Sequence, residues 1–204
     1  MDTNGLPLLA WFQPPEERDD ARHIGTQLTM LAFHEERFRS AGELMDHAAQ
    51  LATTLKPKDH DERRHQDRVQ SWRMIAAHAA VLSVYHFRST LASIRDRLGQ
   101  CPALAKHVDQ KAIEKAFDQI EVDFPHWREV RDGVGHFSDK IFKPADVDAH
   151  MPDKTAFHHG CLVGSNLIFT RDGKYVAMDL SIQSLEKLVA IKRMVWEAFR
   201  KAAA

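Results

Sequence analysis

The chain has 204 residues, 44% of them hydrophobic and 28% charged, with only 9 Gly and 8 Pro. That length can bury a sizeable core, and that composition excludes collagenous, low-complexity and wholly disordered chains. The formal net charge of −1 denies the surface as a whole a phosphate-attracting field, although at a pH near ~6.5 half of the 13 His would be charged and the balance would rise to about +5.

Cys101 and Cys161 are the only cysteines and lie far apart, which argues against a disulfide framework and a thiolate zinc cluster and fits a reducing interior. Residues 1–18 read as a Pro-punctuated lead-in. The segment Met1 to Phe12 lacks a basic start and is interrupted by Pro7, and no run approaches the ~20 apolar residues of a membrane helix. A cytoplasmic protein with no membrane partner is the expectation.

The whole chain, 1–204, reads as a single domain, with a helical bundle over 19–142 and a loop, β-hairpin and final helix over 143–204. Periodicity predicts a first helix from Asp19 or Asp20 to about Lys56. Its apolar stripe is Ile24, Leu28, Leu31, Phe38, Ala41, Met45, Ala48, Ala52 and Leu55, with His34 or Glu35 filling the one gap. After a polar turn at Pro57 to Asp61, a second long helix runs to about Leu98. Its stripe begins with Val69, Trp72, Ala76 and Ala79 and continues with Val84, Phe87, Leu91, Ile94 and Leu98. A short turn between two long helices packs them antiparallel.

Gly99 and Pro102 end that helix, and a shorter one from about Asp109 to Val122 follows. Pro125 holds Phe124 out of the α region and opens another helix reaching about Phe137. Beyond a polar stretch over 143–159, apolar runs at Cys161 to Thr170 and Lys174 to Leu180 flank Asp172-Gly173, which predicts a β-hairpin. An amphipathic helix from Ser181 to Lys201 closes the chain, with Ile182, Leu185, Val189, Trp196 and Phe199 on its apolar side. The fold class is therefore mainly α, an up-and-down bundle with a β-hairpin and an additional C-terminal helix.

The candidate site is the segment Trp127-Arg128-Glu129-Val130-Arg131-Asp132-Gly133-Val134-Gly135-His136-Phe137. Each helix-interior Gly costs ~1 kcal/mol relative to Ala, so two of them within three residues point to close approach by another backbone or a ligand, or to a helix that loosens there. Asp132 and His136, at i and i+4, share a face on which the carboxylate can fix the imidazole tautomer. Arg131 and His136 stand roughly 140° apart around an ideal helix, so they converge through the long Arg side chain, a distortion, or a second copy across a dimer axis. Trp127, at i−4, is placed to hold the Arg131 guanidinium by a cation–π contact.

Arg131, Asp132 and His136, late in a series of antiparallel helices, resemble the signature of the HEPN superfamily of four-helix nucleotide-binding and ribonuclease domains. In that signature an Arg and usually a polar residue precede a His by four to six positions. The resemblance covers residues 20–142, and the two glycines inside the motif and the elements after it depart from the family pattern. It implies RNA or nucleotide binding and, in active members, metal-independent endoribonuclease chemistry in a homodimer, with no cofactor. Arg131, Asp132 and His136 would form the catalytic set, and Arg128 and Lys140 would hold flanking phosphates. The alternative is a catalytically silent dimerisation or partner-binding module.

Other constellations carry less chemistry. Glu62 and His65 have the spacing of a di-metal helix motif but sit in a charged turn. Glu43 and His47 lack a second half. His158-His159 and Asp146, Asp148 and His150 read as a polar loop. His34, His78 and His86 fall in or beside apolar stripes as hydrogen-bonded core residues, and Trp72, Trp127, Trp196 and Phe199 read as packing residues. No phosphate loop, nucleophile elbow or dinucleotide fingerprint is present.

Overall fold

The structure, a computed structural model, describes residues 13–56, 58–135, 159–171 and 174–200. A 3₁₀ turn at Pro15–Glu17 leads into α1 (Arg18–Thr54) and α2 (His60–Leu98). Then come α3 (Pro102–Ala105), α4 (Gln110–Asp123) and α5 (Trp127–Gly135). Strands β1 (His159–Val163), β2 (Asn166–Arg171) and β3 (Lys174–Asp179) precede α6 (Ile182–Phe199). The chain is mainly α with a small antiparallel sheet and a C-terminal helix, as the periodicity predicts. Its described residues group into two compact units, one of 13–36, 86–125 and 186–200 and the other of 37–85 and 126–185.

In the first unit the predicted stripes are buried, with Ile24, Leu28 and Leu31 of α1, Phe87, Leu91 and Ile94 of α2 and Ile113 and Ile120 of α4 all at most 1% exposed. The α1 and α2 segments run antiparallel here: Asp20 pairs with Arg97, His23 Nε2 lies 3.2 Å from Ser93 Oγ, and His34 stacks on His86. Asp109 caps α4 by accepting from the Ala112 N–H at 3.1 Å. The four-residue α3, absent from the periodicity reading, is capped from a distance. The buried Glu17 carboxylate accepts from the N–H groups of Ala103 and Leu104 at 3.0 and 3.4 Å, supplying an acceptor that Cys101, before α3, does not.

Both His34 and Glu35 fill the gap in the α1 stripe, and both are buried. A buried carboxylate needs a partner, and Lys192 of α6 supplies it, the two side chains being 6% and 15% exposed. The apolar side of α6 is rotated from the expected one. Leu185, Leu188, Ile191, Val195, Ala198 and Phe199 are buried, whereas Ile182 is exposed and Val189 half-buried. The core-facing register follows Leu188 and Ile191.

In the second unit the expected hairpin is a three-stranded meander in the order β1-β2-β3. The run read as one strand from Cys161 to Thr170 folds back at Gly164-Ser165, pairing Val163 with Asn166. Gly164 adopts φ +60°, which matches the two-residue turns that suit twisted hairpins. The strands alternate as a half-buried sheet should, with Leu167, Phe169, Val176 and Met178 buried, and α5 packs against them through this sheet's inner face. Trp72 on α2 is 42% exposed, so it is not the packing residue its position in the stripe suggests.

Asp179, at the end of β3, ties the sheet to the start of α6. Its Oδ1 accepts from Ser165 Oγ at 2.9 Å and from the Ser181 N–H at 3.1 Å, and its Oδ2 from the hydroxyls of Ser181 and Ser184 at 2.5 and 3.0 Å. Burial alone raises a carboxyl pKa, but the bonds from Ser181, Ser165 and Ser184 outweigh it and hold Asp179 below its ordinary value.

These two carboxylates, Glu35 and Asp179, give distinct expectations. Lys192→Ala removes the cation from the buried Glu35 carboxylate and should cost about 3–5 kcal/mol in urea unfolding, whereas joint replacement of both partners by apolar residues should recover most of the loss. The Asp179 contribution is complete above the unfolded carboxyl value of ~3.9 and is lost as pH falls through the lower folded value, so Asp179→Asn should flatten the acid limb of the melting temperature against pH.

Candidate functional site on α5

Pro125 and Phe124 set the entry to α5. Phe124 has φ −131° and ψ 61°, outside the α region as a residue before proline requires, and it leaves α4 with its N–H bonded to Ile120 O. Helix α5 then begins at Trp127, two residues later than expected, and remains helical through both glycines to Gly135. Trp127 and Val130 are its buried anchors.

Gly133 is required by packing. A β-carbon there would lie 2.7–3.0 Å from three ring atoms of Phe169, a β2 residue that is itself 3% exposed. The close approach anticipated at this residue is therefore made by an aromatic ring of the same chain. At Gly135 a β-carbon would meet nothing within 4 Å. The approach of another backbone or of a ligand, expected at these glycines, is therefore not what requires Gly133.

Arg131 emerges one turn from Trp127 but does not stack on it. Its guanidinium lies over Tyr85 of α2, 4.4 Å from the ring centroid, while Arg128 takes Trp127 at 5.0 Å. The two rings lean on each other with centroids 5.9 Å apart. Arg131 Nη1 donates to Asp132 Oδ1 at 2.8 Å, the two side chains being 33% and 36% exposed, and Nε is buried without a hydrogen-bond partner. The arrangement fixes a cation by a π-face and an adjacent carboxylate, leaving part of the fork open to solvent. Arg128 is exposed on the same helix.

His136 and Lys140 lie outside the described residues, as do Asp146, Asp148, His150, His158, Asp172 and Gly173. The structure thus brings together Arg131, Asp132 and Arg128 of the proposed set. Tyr85 is the residue that sequence reasoning missed. It stands next to Val84 in the α2 stripe, and only the tertiary fold brings it under Arg131.

The other constellations resolve into structure. Asp59 Oδ1 accepts from the Glu62 N–H at 2.9 Å and so caps α2, while the Glu62 carboxylate accepts from the Lys58 N–H at 2.5 Å. Among the described residues no group of three or more His, Cys, Asp or Glu is placed to hold a metal. His34 stacks on His86 with centroids 5.5 Å apart, and burial lowers the pKa of His78. Cys101 is fully buried. Burial, reinforced by Asp20 and Glu17 and opposed by Arg97, pushes its thiol up to about 11, where thiolate chemistry at neutral pH is suppressed.

No family model, curated protein or solved structure matches the chain.

Gly133→Ala should destabilise the chain by about 1–3 kcal/mol despite the better helix propensity of Ala, because the Phe169 ring has no room to yield. Gly135→Ala, which meets no atom, should be neutral or stabilising by up to ~1 kcal/mol. Thermal unfolding of the two variants distinguishes a contact with Phe169 from a general need for flexible backbone.

Proposed function

We propose that the chain is a HEPN-like module that binds RNA or a nucleotide through α5 and, when two copies associate, cuts RNA without a metal ion. The observation that carries the reading is the fixed, partly exposed Arg131 guanidinium, held over Tyr85 and against Asp132 on a helix that also exposes Arg128. An Arg fork presents paired donors to a phosphate, and its orientation here is set before any ligand arrives. In the cleavage step His136 takes the proton from the ribose 2′-OH or gives one to the leaving 5′ oxygen. Arg131 neutralises the charge that builds on the phosphorane, and Arg128 and Lys140 hold neighbouring phosphates.

A second reading is favoured by the Arg131–Asp132 bond at 2.8 Å, which already neutralises the cation within the chain. On that reading the module is catalytically silent and serves dimerisation or partner binding.

The two separate in one assay. Incubated with single-stranded RNA in EDTA, the active module should yield products ending in 2′,3′-cyclic phosphate, and Arg131→Ala and His136→Ala should each lower the rate at least ~10²-fold without loss of fold. Light scattering at tens of micromolar should give twice the mass of the chain. A silent module gives no products, and Arg131→Ala then weakens nucleotide binding or shifts the dimer. If the wild-type chain neither cuts nor binds RNA or nucleotide, the HEPN-like reading fails.

A further inference from the structure

The second unit contains a cavity of about 510 Å³ that the α5 site does not use, within the size range of small-molecule pockets. Phe38 and Met45 of α1 and Leu180 and Leu185 beside the α6 N-terminus form its buried apolar walls. Arg73 of α2 enters from one side. Its hydrogen bond among the described residues is Nη1 to the neutral Gln70 Oε1 at 3.2 Å, and its Nε is buried without a partner. Among the described residues no carboxylate is bonded to this cation, so Arg73 lines an apolar cavity as half of an incomplete pair.

Gly42 supplies an independent observation. It lines the cavity in the interior of α1, where Ala is the favoured residue, yet a β-carbon there would meet nothing within 4 Å. Packing among the described residues therefore gives no reason for a glycine, in contrast to Gly133. Leaving out a side chain at that position keeps the cavity open.

We infer that this cavity binds a small carboxylate with an apolar body, the body lying across Gly42 between Phe38 and Leu185 and the carboxylate taken by Arg73. The exposed Glu43 and Asp46 also line the cavity, as does Arg39, so the lining carries both signs of charge and the partly buried Arg73 guanidinium selects the anion.

Decanoate is a suitable probe, with decylamine as the control of equal chain length and opposite charge. In isothermal titration calorimetry on the full chain, decanoate should bind saturably with a Kd below about 1 mM and decylamine at least ~10-fold more weakly. Arg73→Gln should weaken decanoate by about 10-fold or more while leaving the melting temperature close to wild type. Gly42→Phe should abolish decanoate binding by filling the space, and Gly42→Leu reads the same way should the Phe variant not fold. Absence of saturable decanoate binding overturns the inference. So does a preference for decylamine, which would assign the cavity to the Glu43 and Asp46 carboxylates, or decanoate binding that neither Gly42 nor Arg73 substitution affects. The α5 variants Arg131→Ala and His136→Ala should leave decanoate binding unchanged, so the outcome is independent of the proposed RNA chemistry.

Discussion

The ring of Phe169 occupies the space that a side chain at position 133 would need, and the orientation of α5 depends on that contact. Because β2 comes within a ring's thickness of the helix backbone, α5 has little freedom to roll. Trp127 and Val130 are buried on the same helix, and Arg131 is turned toward Tyr85. The sheet is thus a positioning device for the helix that carries the candidate motif. The helix that it orients also covers the sheet's apolar face.

The first unit is organised by buried charge. Glu35 sits within an otherwise apolar stripe and is matched by Lys192, and Glu17 is buried against the N-terminus of α3. Such pairs add little net stability over an apolar substitute, but each tolerates few alternatives. The Glu35–Lys192 pair fixes one register between α1 and α6, since sliding either helix by a residue would strand both charges in an apolar environment.

Helical periodicity was legible because it is local. The stripes of α1 and α2 and the N-cap of α4 follow from residues three or four apart, and Ile24, Leu28, Leu91 and Ile94 are buried as their spacing requires. What the sequence did not disclose depends on distant partners. Nothing near Gly133 announces Phe169, nothing near Arg131 announces Tyr85, and Glu35 gives no sign of Lys192. The turn at Gly164-Ser165 is hidden for a different reason. Asp172-Gly173 is the stronger turn signal and makes the preceding ten residues read as one strand, although Gly-Ser between two apolar runs is itself a readable break. The rotated face of α6 has a similar origin: Ile182 and Val189 fit one helical stripe, Leu188 and Ile191 fit another, and only the packing chooses between them.

The Asp179 hub bears on the order in which the molecule assembles. Ser165 and Asp179 are 14 residues apart and Ser184 lies five further on, so the whole network closes over short loops. Joining α4 to the end of α6, by contrast, requires the Asp109 N–H to find Ala198 O across most of the second half of the chain. Loop-closure entropy favours the nearer contacts, so the meander and the first turn of α6 can form as a nucleus of low contact order before the far end of that helix reaches α4. One carboxylate would then act as the hinge between an early-folding piece and a late one, and amide exchange should protect the Ser181 N–H before the Asp109 N–H during refolding.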